Sequence, residues 1–172
     1  MLGANVIHGS LYQGGGFGAM LEVVSVLRNE REQLFKMVED YWRTRLTHKP
    51  SADDPRVRDR RFGEEFWNER ESRFLWWAKL NETAIGFAKT ELVEDLVWET
   101  QGEIGDFYIA PPFRRGGHGK AFARLLFNWF AQKGVKYVRL YVRSDNPGAL
   151  AFWENEEFET VQIWHQMRRM VR

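Results

Sequence analysis

The chain has 172 residues, of which 44% are hydrophobic and 28% are charged, and its formal net charge is +1. These values predict one globular domain and exclude a second domain of comparable size. Cysteine is absent, which excludes disulfide scaffolds and thiolate chemistry and makes the cytoplasm the expected compartment. No apolar run approaches the roughly 18 residues that a membrane span needs, so no membrane partner is expected.

Residues 1–19 stand apart from the rest of the sequence. They contain six of the fifteen glycines and show neither helical nor strand periodicity. A phosphate-binding loop would need a preceding strand and a following lysine, and this segment has neither. We therefore predict a disordered glycine-rich terminus over residues 1–19, outside the fold, and a folded domain over residues 20–172.

Two helices are predicted early in the domain. Asn29, followed by Glu32 three residues later, forms the pattern of an N-terminal capping box. Asp54 and Pro55 predict the start of a second, heavily charged helix that runs to about Ser72, because proline suits the first helical position. Both helices therefore precede most of the predicted strands.

The predicted strands are short runs rich in β-branched and aromatic residues. They cover residues 21–27, 74–80, 84–93, 103–109 and 137–143, with one or two more within 158–171. A turn at Asn81-Glu82 joins the second and third of them. An amphipathic helix around residues 122–130, closed by Gly134, and a short helix over residues 147–155 lie between the later strands. This order predicts an α/β fold around one sheet.

The most informative segment lies between a predicted strand end and a helix start: Arg114-Arg115-Gly116-Gly117-His118-Gly119-Lys120, here called the cradle loop. Its glycines allow the backbone to approach a ligand, and the helix N-terminus favours an anion. A Walker A loop would need Gly at Arg114 and Ser or Thr at Ala121, and a dinucleotide fingerprint would need Gly or Ala at Phe122. The loop therefore predicts a pyrophosphate site of another type.

Charge is distributed unevenly along the chain. Residues 107–144 contain eight Lys or Arg and no Asp or Glu, while residues 90–106 contain six acids and no base. This pattern is expected of a protein that binds a polyanion beside a cationic substrate, although an isolated charge run is more often solvated surface. Nucleic-acid binding by the basic run is a weaker alternative, because the net charge is near zero and an acidic segment lies next to it.

A second motif follows the strand predicted over residues 137–143: Asn146, Ala149, Phe152, Trp153 and Phe158. Together with Ile109-Ala110-Pro111 and Arg114-x-x-Gly117-x-Gly119, it resembles the two signatures of the GNAT superfamily of acetyl-coenzyme-A-dependent N-acyltransferases. The resemblance covers residues 20–171 and implies the GNAT fold, a single mixed, mostly antiparallel sheet flanked by helices. Two residues depart from the family pattern: Trp153 replaces the usual catalytic Tyr, and Glu157 replaces Gly.

The resemblance implies how acetyl-CoA, as co-substrate, would bind. The backbone of residues 107–109 would pair with the pantetheine arm, and the cradle loop would hold the pyrophosphate. The implied binding residues are Phe107, Tyr108, Ile109, Arg114, Arg115, Gly116, Gly117, His118, Gly119, Lys120, Asn146, Phe152 and Trp153. Arg114 and Lys120 are suited to phosphate, and His118 to offering its backbone N–H. Asn146 precedes Pro147 and is equally suited to capping a helix.

Acyl transfer to an amine needs the neutral amine. For a lysine-like amine of pKa near 10.4, deprotonation at pH 7.4 costs about 4 kcal/mol, so a carboxylate or a water chain is usually recruited. Family members often place this base on the strand that carries Glu103 and Asp106. A period of two would put these side chains on opposite faces, with Glu103 on the face of Ile109, and we slightly favour Glu103.

The leaving thiolate needs a proton donor, and an indole cannot replace a phenol in that role. Tyr108, Tyr141 or water would then serve, and Tyr141 completes the candidate catalytic set with Glu103 and Asp106. His48 and His165 have no neighbours at ligand spacing, so no metal is expected.

The predicted function is direct acetyl transfer from acetyl-CoA to a primary amine of cationic character, on a small molecule or a peptide. A non-catalytic acyl-CoA-binding module is the alternative, suggested by Trp153. A homodimer is compatible with either function.

Overall fold

The computed structural model describes residues 6–7, 20–45, 55–68, 70–95 and 99–162. Within these residues, six strands form one sheet in chain order: β1 (Val6–Ile7), β2 (Leu21–Ser25), β3 (Arg73–Leu80), β4 (Thr83–Asp95), β5 (Glu99–Ile109) and β6 (Val138–Leu140). Neighbours from β1 to β5 pair antiparallel, and β5 pairs parallel with β6. The prediction of a single mixed, mostly antiparallel sheet is therefore confirmed.

The helices are α1 (Arg31–Arg45), α2 (Pro55–Phe62), α3 (His118–Gln132) and α4 (Pro147–Glu154). A 3-10 turn (Arg28–Glu30) precedes α1, and a π-helical turn (Gly63–Trp67) continues α2. Among the described residues, no helix is long and apolar enough to cross a membrane. The chain divides into two compact units, Met1–Leu140 with the sheet and α1 to α3, and Tyr141–Arg172 with α4.

Aromatic side chains cover both faces of the sheet in the first unit. On one face, α1, α2 and the π-helical turn pack against Phe87 of β4 and Tyr108 of β5. On the other face, Trp76 of β3 contacts Trp129 of α3 with ring centroids 5.1 Å apart, and Phe107 stacks on Phe122 at 5.0 Å. Consecutive residues of β5 therefore point to different cores.

Glu30 holds the chain at the start of α1. Its carboxylate accepts hydrogen bonds from the Leu27 backbone N–H at 2.8 Å, the Trp77 indole N–H at 3.0 Å and the Lys79 ammonium at 3.2 Å. The predicted capping box from Asn29 to Glu32 is wrong, because Asn29 lies inside the 3-10 turn. Burial alone would raise the pKa of Glu30, but these hydrogen bonds and the Lys79 charge hold it below its usual value.

Replacing Glu30 by Gln is expected to lower the free energy of unfolding by about 1–3 kcal/mol, since charge-assisted hydrogen bonds are lost. Because the folded-state pKa is lowered, this contribution is present above the unfolded-state pKa and is lost as pH falls through the folded-state pKa. Thermal melts of both proteins at about pH 7 and about pH 4 should show a difference that narrows in acid. A difference that is the same at both pH values would contradict this role.

The hairpin between β3 and β4 turns where the sequence predicts. Asn81 and Glu82 have φ angles of 47° and 66°, so both central residues occupy the left-handed region that two-residue hairpin turns require. β5 begins at Glu99, four residues before the predicted Glu103. Gly102 interrupts the strand signal, yet a Cβ there would lie 2.6 Å from the Phe130 ring, so the strand needs a glycine at this position.

Other element boundaries also differ from the prediction. The π-helical turn ends at Trp67, short of Ser72, because Asn68 has extended backbone angles (φ −67°, ψ 105°). β6 is only Val138–Leu140 rather than 137–143, and residues 158–162 form no strand. Val6 and Ile7 pair with β2, so these two residues belong to the sheet although the sequence placed residues 1–19 outside the fold. The predicted cap at Asp54 and the strands within 163–171 lie outside the described residues.

Candidate active site

The cradle loop connects the end of β5 to α3, after a 3-10 turn at Pro111–Phe113. Arg115 and Gly117 both have positive φ, 65° and 79°, so the backbone turns sharply on either side of Gly116. Gly117 is the N-cap of α3, and its carbonyl accepts from the Ala121 N–H at 3.0 Å. The backbone N–H groups of residues 118–120 therefore lie at the open helix N-terminus, in the geometry that suits a phosphate.

The His118 side chain closes the loop internally. Its Nδ1 donates a hydrogen bond to the Phe113 carbonyl oxygen at 2.9 Å, which fixes the proton on that nitrogen. A Cβ at Gly116 would lie 2.9 Å from Cε1 of the imidazole, so glycine makes room for the ring. The His118 backbone N–H remains at the first position of α3, as the sequence predicts.

Arg114 connects the cradle loop to β5. Its Nε donates to the Ile109 carbonyl oxygen at 2.7 Å, and its guanidinium carbon lies 5.3 Å from the centre of the Tyr108 ring. Sequence reasoning assigned Arg114 to phosphate and did not find this contact. The side chain therefore fixes the loop relative to the strand end, whatever its contact with a ligand.

The end of β5 offers a backbone edge beyond β6. The parallel pairing with β6 stops at Ile104 and Leu140. On the other edge, the Ala110 N–H donates to the Ile85 carbonyl of β4 at 2.9 Å. Because consecutive strand residues direct their backbone groups to opposite edges, those of Ile109 point toward the β6 side. An amide-bearing ligand arm along residues 107–109 would extend the sheet there.

A β-bulge interrupts β5 just before this edge. Lys89 of β4 pairs with Asp106 and the next residue, Thr90, pairs with Ile104, so Gly105 is an extra residue on β5. An extra residue shifts the alternation of side chains by one position. Side chains on either side of Gly105 therefore no longer follow a period of two.

The bulge places Glu103 and Asp106 on the same face of β5. A Cβ at Gly105 would lie 2.8 Å from Lys89 Cε and 3.9 Å from Glu103 Oε1, and Lys89 Nζ is 2.7 Å from Asp106 Oδ2. Both carboxylates thus lie on the side of α1 and α2. The predicted placement on opposite faces, with Glu103 on the face of Ile109, is wrong because of this single inserted residue.

The two carboxylates differ in their partners. Asp106 is 8% exposed and accepts a hydrogen bond from Tyr41 Oη of α1 at 3.0 Å, besides its ion pair with Lys89. Glu103 is 22% exposed and pairs with Arg139 of β6 at 2.9 Å. Sequence reasoning missed Tyr41 as a functional residue. Gly105 between two acids was the signal for a bulge that could have pointed to this arrangement.

A pocket of about 610 Å³ lies between α1 and the end of β5. Its lining comprises Gln33, Lys36, Met37, Asp40, Arg43, Thr44, Tyr108, Ala110, Pro111 and Pro112. Burial raises the pKa of Tyr108 and the Asp40 charge adds to this, which outweighs the opposing effect of Arg114, so the phenol stays protonated at neutral pH. Among the described residues, no group of three or more His, Asp or Glu is arranged to hold a metal ion.

The second unit contains the remaining predicted site residues. Asn146 Oδ1 accepts from the Ala149 N–H at 3.1 Å, which confirms its helix-capping role. Trp153 is buried, with ring centroids 4.8 Å from Phe152 and 5.3 Å from Phe158. Tyr141 is exposed. The acetyl-CoA contacts of Asn146, Phe152 and Trp153 and the catalytic role of Tyr141 stay predictions.

Glu157 retains the backbone shape that the family pattern assigns to glycine. Its φ is 67°, in the left-handed region that a non-glycine residue rarely adopts. The N–H of the following residue, Phe158, donates to the Trp153 carbonyl at 3.1 Å and closes the turn. The departure from glycine at this position therefore leaves the turn in place.

Comparison with known proteins agrees with the cradle loop and the sheet. The sequence profile of the acetyltransferase (GNAT) family matches residues 31–158. The chain belongs to this family. Its cradle loop and both predicted signatures lie within the matched range, so the resemblance drawn from the motifs is confirmed.

Individual relatives are more distant. This GNAT protein is 24% identical over 106 residues to an uncharacterized N-acetyltransferase of Methanocaldococcus jannaschii, covering 60% of this chain and 47% of that protein. It is 30% identical over 107 residues to a mycothiol acetyltransferase of Amycolatopsis mediterranei, covering 60% and 34%. The chain thus matches less than half the length of either relative. The structure of the aminoglycoside N-acetyltransferase AAC(6')-Iy in complex with CoA superposes with a TM-score of 0.70 over 90% of this chain and 98% of that one, at 17% identity, which shows a shared fold.

Proposed function

We propose that this GNAT protein transfers the acetyl group of acetyl-CoA to a primary amine, which attacks the thioester directly. One observation carries the proposal: a glycine-containing loop at the N-terminus of α3 follows, after one 3-10 turn, a strand end that contains the buried carboxylate of Asp106 and borders a pocket. Phosphate binding, alignment of a ligand arm and proton acceptance are thereby supplied by one continuous segment, residues 106–120. Acetyl-CoA, when bound, supplies the activated acetyl group.

The cradle loop and β5 provide the groups that hold and orient acetyl-CoA. The backbone N–H groups of residues 118–120 bind the pyrophosphate, aided by the positive end of the α3 dipole. The backbone of residues 107–109 aligns the pantetheine arm along the sheet edge. Arg114, anchored to the Ile109 carbonyl, keeps these two parts at a fixed separation. Such positioning lowers the entropic cost of bringing the amine and thioester together.

Asp106, rather than Glu103, is the proposed proton acceptor. Tyr108 lines the pocket, and Asp106 lies two residues away along β5, about 7 Å, whereas Glu103 lies five residues away, about 15 Å. Glu103 is moreover held by Arg139 on the far strand, β6. Tyr108, Tyr141 or water would protonate the thiolate, because the Trp153 indole has no acidic proton to give.

An assay of CoA thiol release against a panel of amines tests the proposal. Acetyl transfer predicts release that requires both protein and amine and saturates with amine concentration. Binding of acetyl-CoA without amine-dependent release would contradict it and support the non-catalytic acyl-CoA-binding module that Trp153 suggests.

We further propose that the acceptor is a cationic amine on a small molecule or a peptide end. The support is the acidic segment of residues 90–106, which includes the end of β4 and most of β5. Its acids are partly neutralised by three ion pairs: Glu91 with Arg73, Glu103 with Arg139 and Asp106 with Lys89. The electrostatic field of these acids is therefore weaker than the sequence alone suggests. The increase that it gives to the association rate of a cationic substrate should be at the low end of the usual range.

For matched cationic and neutral amines, kcat/KM at low salt is expected to favour the cation by about tenfold. The advantage should shrink at physiological ionic strength, where the Debye length is about 8 Å. The measurement is kcat/KM for both amines at low and high ionic strength. A preference for acidic acceptors, or a kcat/KM for the cation that does not fall with salt, would contradict this proposal. The acidic segment would then have no role in attracting the acceptor.

A further inference from the structure

A hydrogen-bonded cluster occupies the space between α1 and the bulge of β5. Tyr41 Oη donates to Asp106 Oδ1 at 3.0 Å, and the ammonium of Lys89 lies 2.7 Å from Asp106 Oδ2. Lys89 also donates to the Glu65 backbone carbonyl at 3.3 Å and lies 4.9 Å from the centre of the Phe66 ring. The two oxygens of one buried carboxylate thus have different partners, a cation on one side and a hydroxyl on the other.

Tyr41 lies between this carboxylate and the pocket wall. Its ring contacts Tyr108 with centroids 5.5 Å apart and lies edge-on to Phe87 at 5.6 Å. Tyr108 and Asp40, the residue before Tyr41, both line the pocket. Because Asp106 is only 8% exposed, an amine in the pocket would reach it through a neighbouring group. The Tyr41 hydroxyl already bonds the carboxylate from the α1 side.

We propose that Tyr41 transfers the acceptor's proton to Asp106, an inference that rests on the acetyl transfer proposed above. Tyr41 is not itself among the lining residues, so a water molecule of the pocket relays the proton. The N–H bond of the acceptor ammonium breaks, the water passes a proton on to Tyr41 Oη, and the original Oη proton moves to Asp106 Oδ1. The nitrogen keeps the electron pair of the broken bond and attacks the thioester carbonyl with it. Collapse of the tetrahedral adduct breaks the C–S bond, whose electron pair leaves with the CoA thiolate, and the nitrogen releases its second proton to water. The reverse shift then returns the first proton from Asp106 through Tyr41 to the thiolate.

The surrounding groups are compatible with this path. The charged or titratable side chains around the cluster are Lys89 of β4, Glu103, Asp106 and Tyr108 of β5, Asp40 of α1 and Arg114 of the cradle loop. Glu65 of the π-helical turn faces it with its backbone carbonyl, and its carboxylate pairs with Arg61. The Lys89 ammonium keeps its ion pair while protons move at the other carboxylate oxygen. Tyr41 thereby adds a further proton donor for the thiolate to Tyr108, Tyr141 and water.

The test compares Tyr41→Phe with Tyr137→Phe in kcat/KM for an amine of pKa near 10.4. Tyr41→Phe keeps the ring that packs against Phe87 and Tyr108 and removes only the hydroxyl, while Tyr137→Phe removes an exposed hydroxyl elsewhere. At pH 7.4, we expect Tyr41→Phe to lower kcat/KM at least about tenfold and to leave the affinity for acetyl-CoA unchanged. Tyr137→Phe should leave kcat/KM unchanged. The deficit should shrink toward pH 9.5, because more of the amine is then already neutral.

A double-mutant cycle with Asp106→Asn separates proton transfer from packing. If both groups act in one path, Tyr41→Phe/Asp106→Asn should be no slower than Asp106→Asn alone. The inference would be overturned if Tyr41→Phe kept full kcat/KM, or if its loss of kcat/KM did not change with pH. It would also be overturned if the losses of the two single variants multiplied in the double variant. Failure of the proposed function is distinguishable, because the unaltered protein would then show no amine-dependent CoA release.

Discussion

Asp106→Asn is expected to lower kcat by about 10²–10⁴-fold, the range for loss of a general base, while the Kd of acetyl-CoA stays unchanged. The amide keeps the shape of the carboxylate but accepts no proton. Glu103→Gln is the matched control, because it also removes an ion-paired carboxylate from the same face of β5. Steady-state kinetics and calorimetric titration on the three proteins give the comparison.

Removing Asp106 also leaves the Lys89 ammonium without its partner in a largely buried site, which destabilises the fold. The double variant Lys89→Met/Asp106→Asn removes both charges and should recover thermal stability without recovering turnover. If Glu103→Gln is crippled and Asp106→Asn is active, the base is Glu103, as the sequence favoured. If both variants retain full activity, neither carboxylate is the base.

Gly117→Val is expected to weaken acetyl-CoA binding at least tenfold, about 1.4 kcal/mol. Gly117 has a φ of 79° at the N-terminus of α3, and a β-branched residue cannot adopt that angle without strain. The loop would relax by turning its N–H groups away from their common focus. Calorimetric titration of acetyl-CoA into the unaltered and variant proteins measures the loss.

Gly134→Val provides the control for backbone strain. Gly134 has a φ of 76° just beyond the other end of α3, and no atom lies within 4 Å of a Cβ placed there. This variant should lose stability comparable to Gly117→Val but keep its affinity for acetyl-CoA. Unchanged affinity in Gly117→Val, or equal losses in both variants, would contradict the assignment of residues 114–120 to the pyrophosphate.

The sequence predicts well where a strong local signal and the tertiary structure agree. The apolar stripe of α3, with Gly134 after its end, and the turn at Asn81-Glu82 both lie where predicted, because a 3.6-residue period and a tight turn are local properties. Asn146 likewise caps α4 as its place before proline suggests. The cradle loop could be located because it combines glycines with a helix start.

The candidate base is less predictable because it depends on pairing between strands. Gly105 is a signal for a bulge, but whether Glu103 and Asp106 share a face is decided by the register between β4 and β5, which involves a second strand. Tyr41 has the same limitation: helical periodicity shows that it faces the interior, but its contact with Asp106 joins residues 65 positions apart. The contact of Arg114 Nε with the Ile109 carbonyl is likewise a tertiary contact that the sequence did not predict, and the role of Arg114 in binding phosphate stays a prediction.

The most direct test of acetyl transfer measures both products of one reaction. With acetyl-CoA and a cationic primary amine, the protein should form free CoA and N-acetylated amine in equal amounts, quantified together by mass spectrometry. Formation of free CoA without the acetylated amine would indicate hydrolysis of the thioester. Formation of neither product would indicate that the protein does not catalyse the transfer. Either of these results would contradict the function proposed for this site.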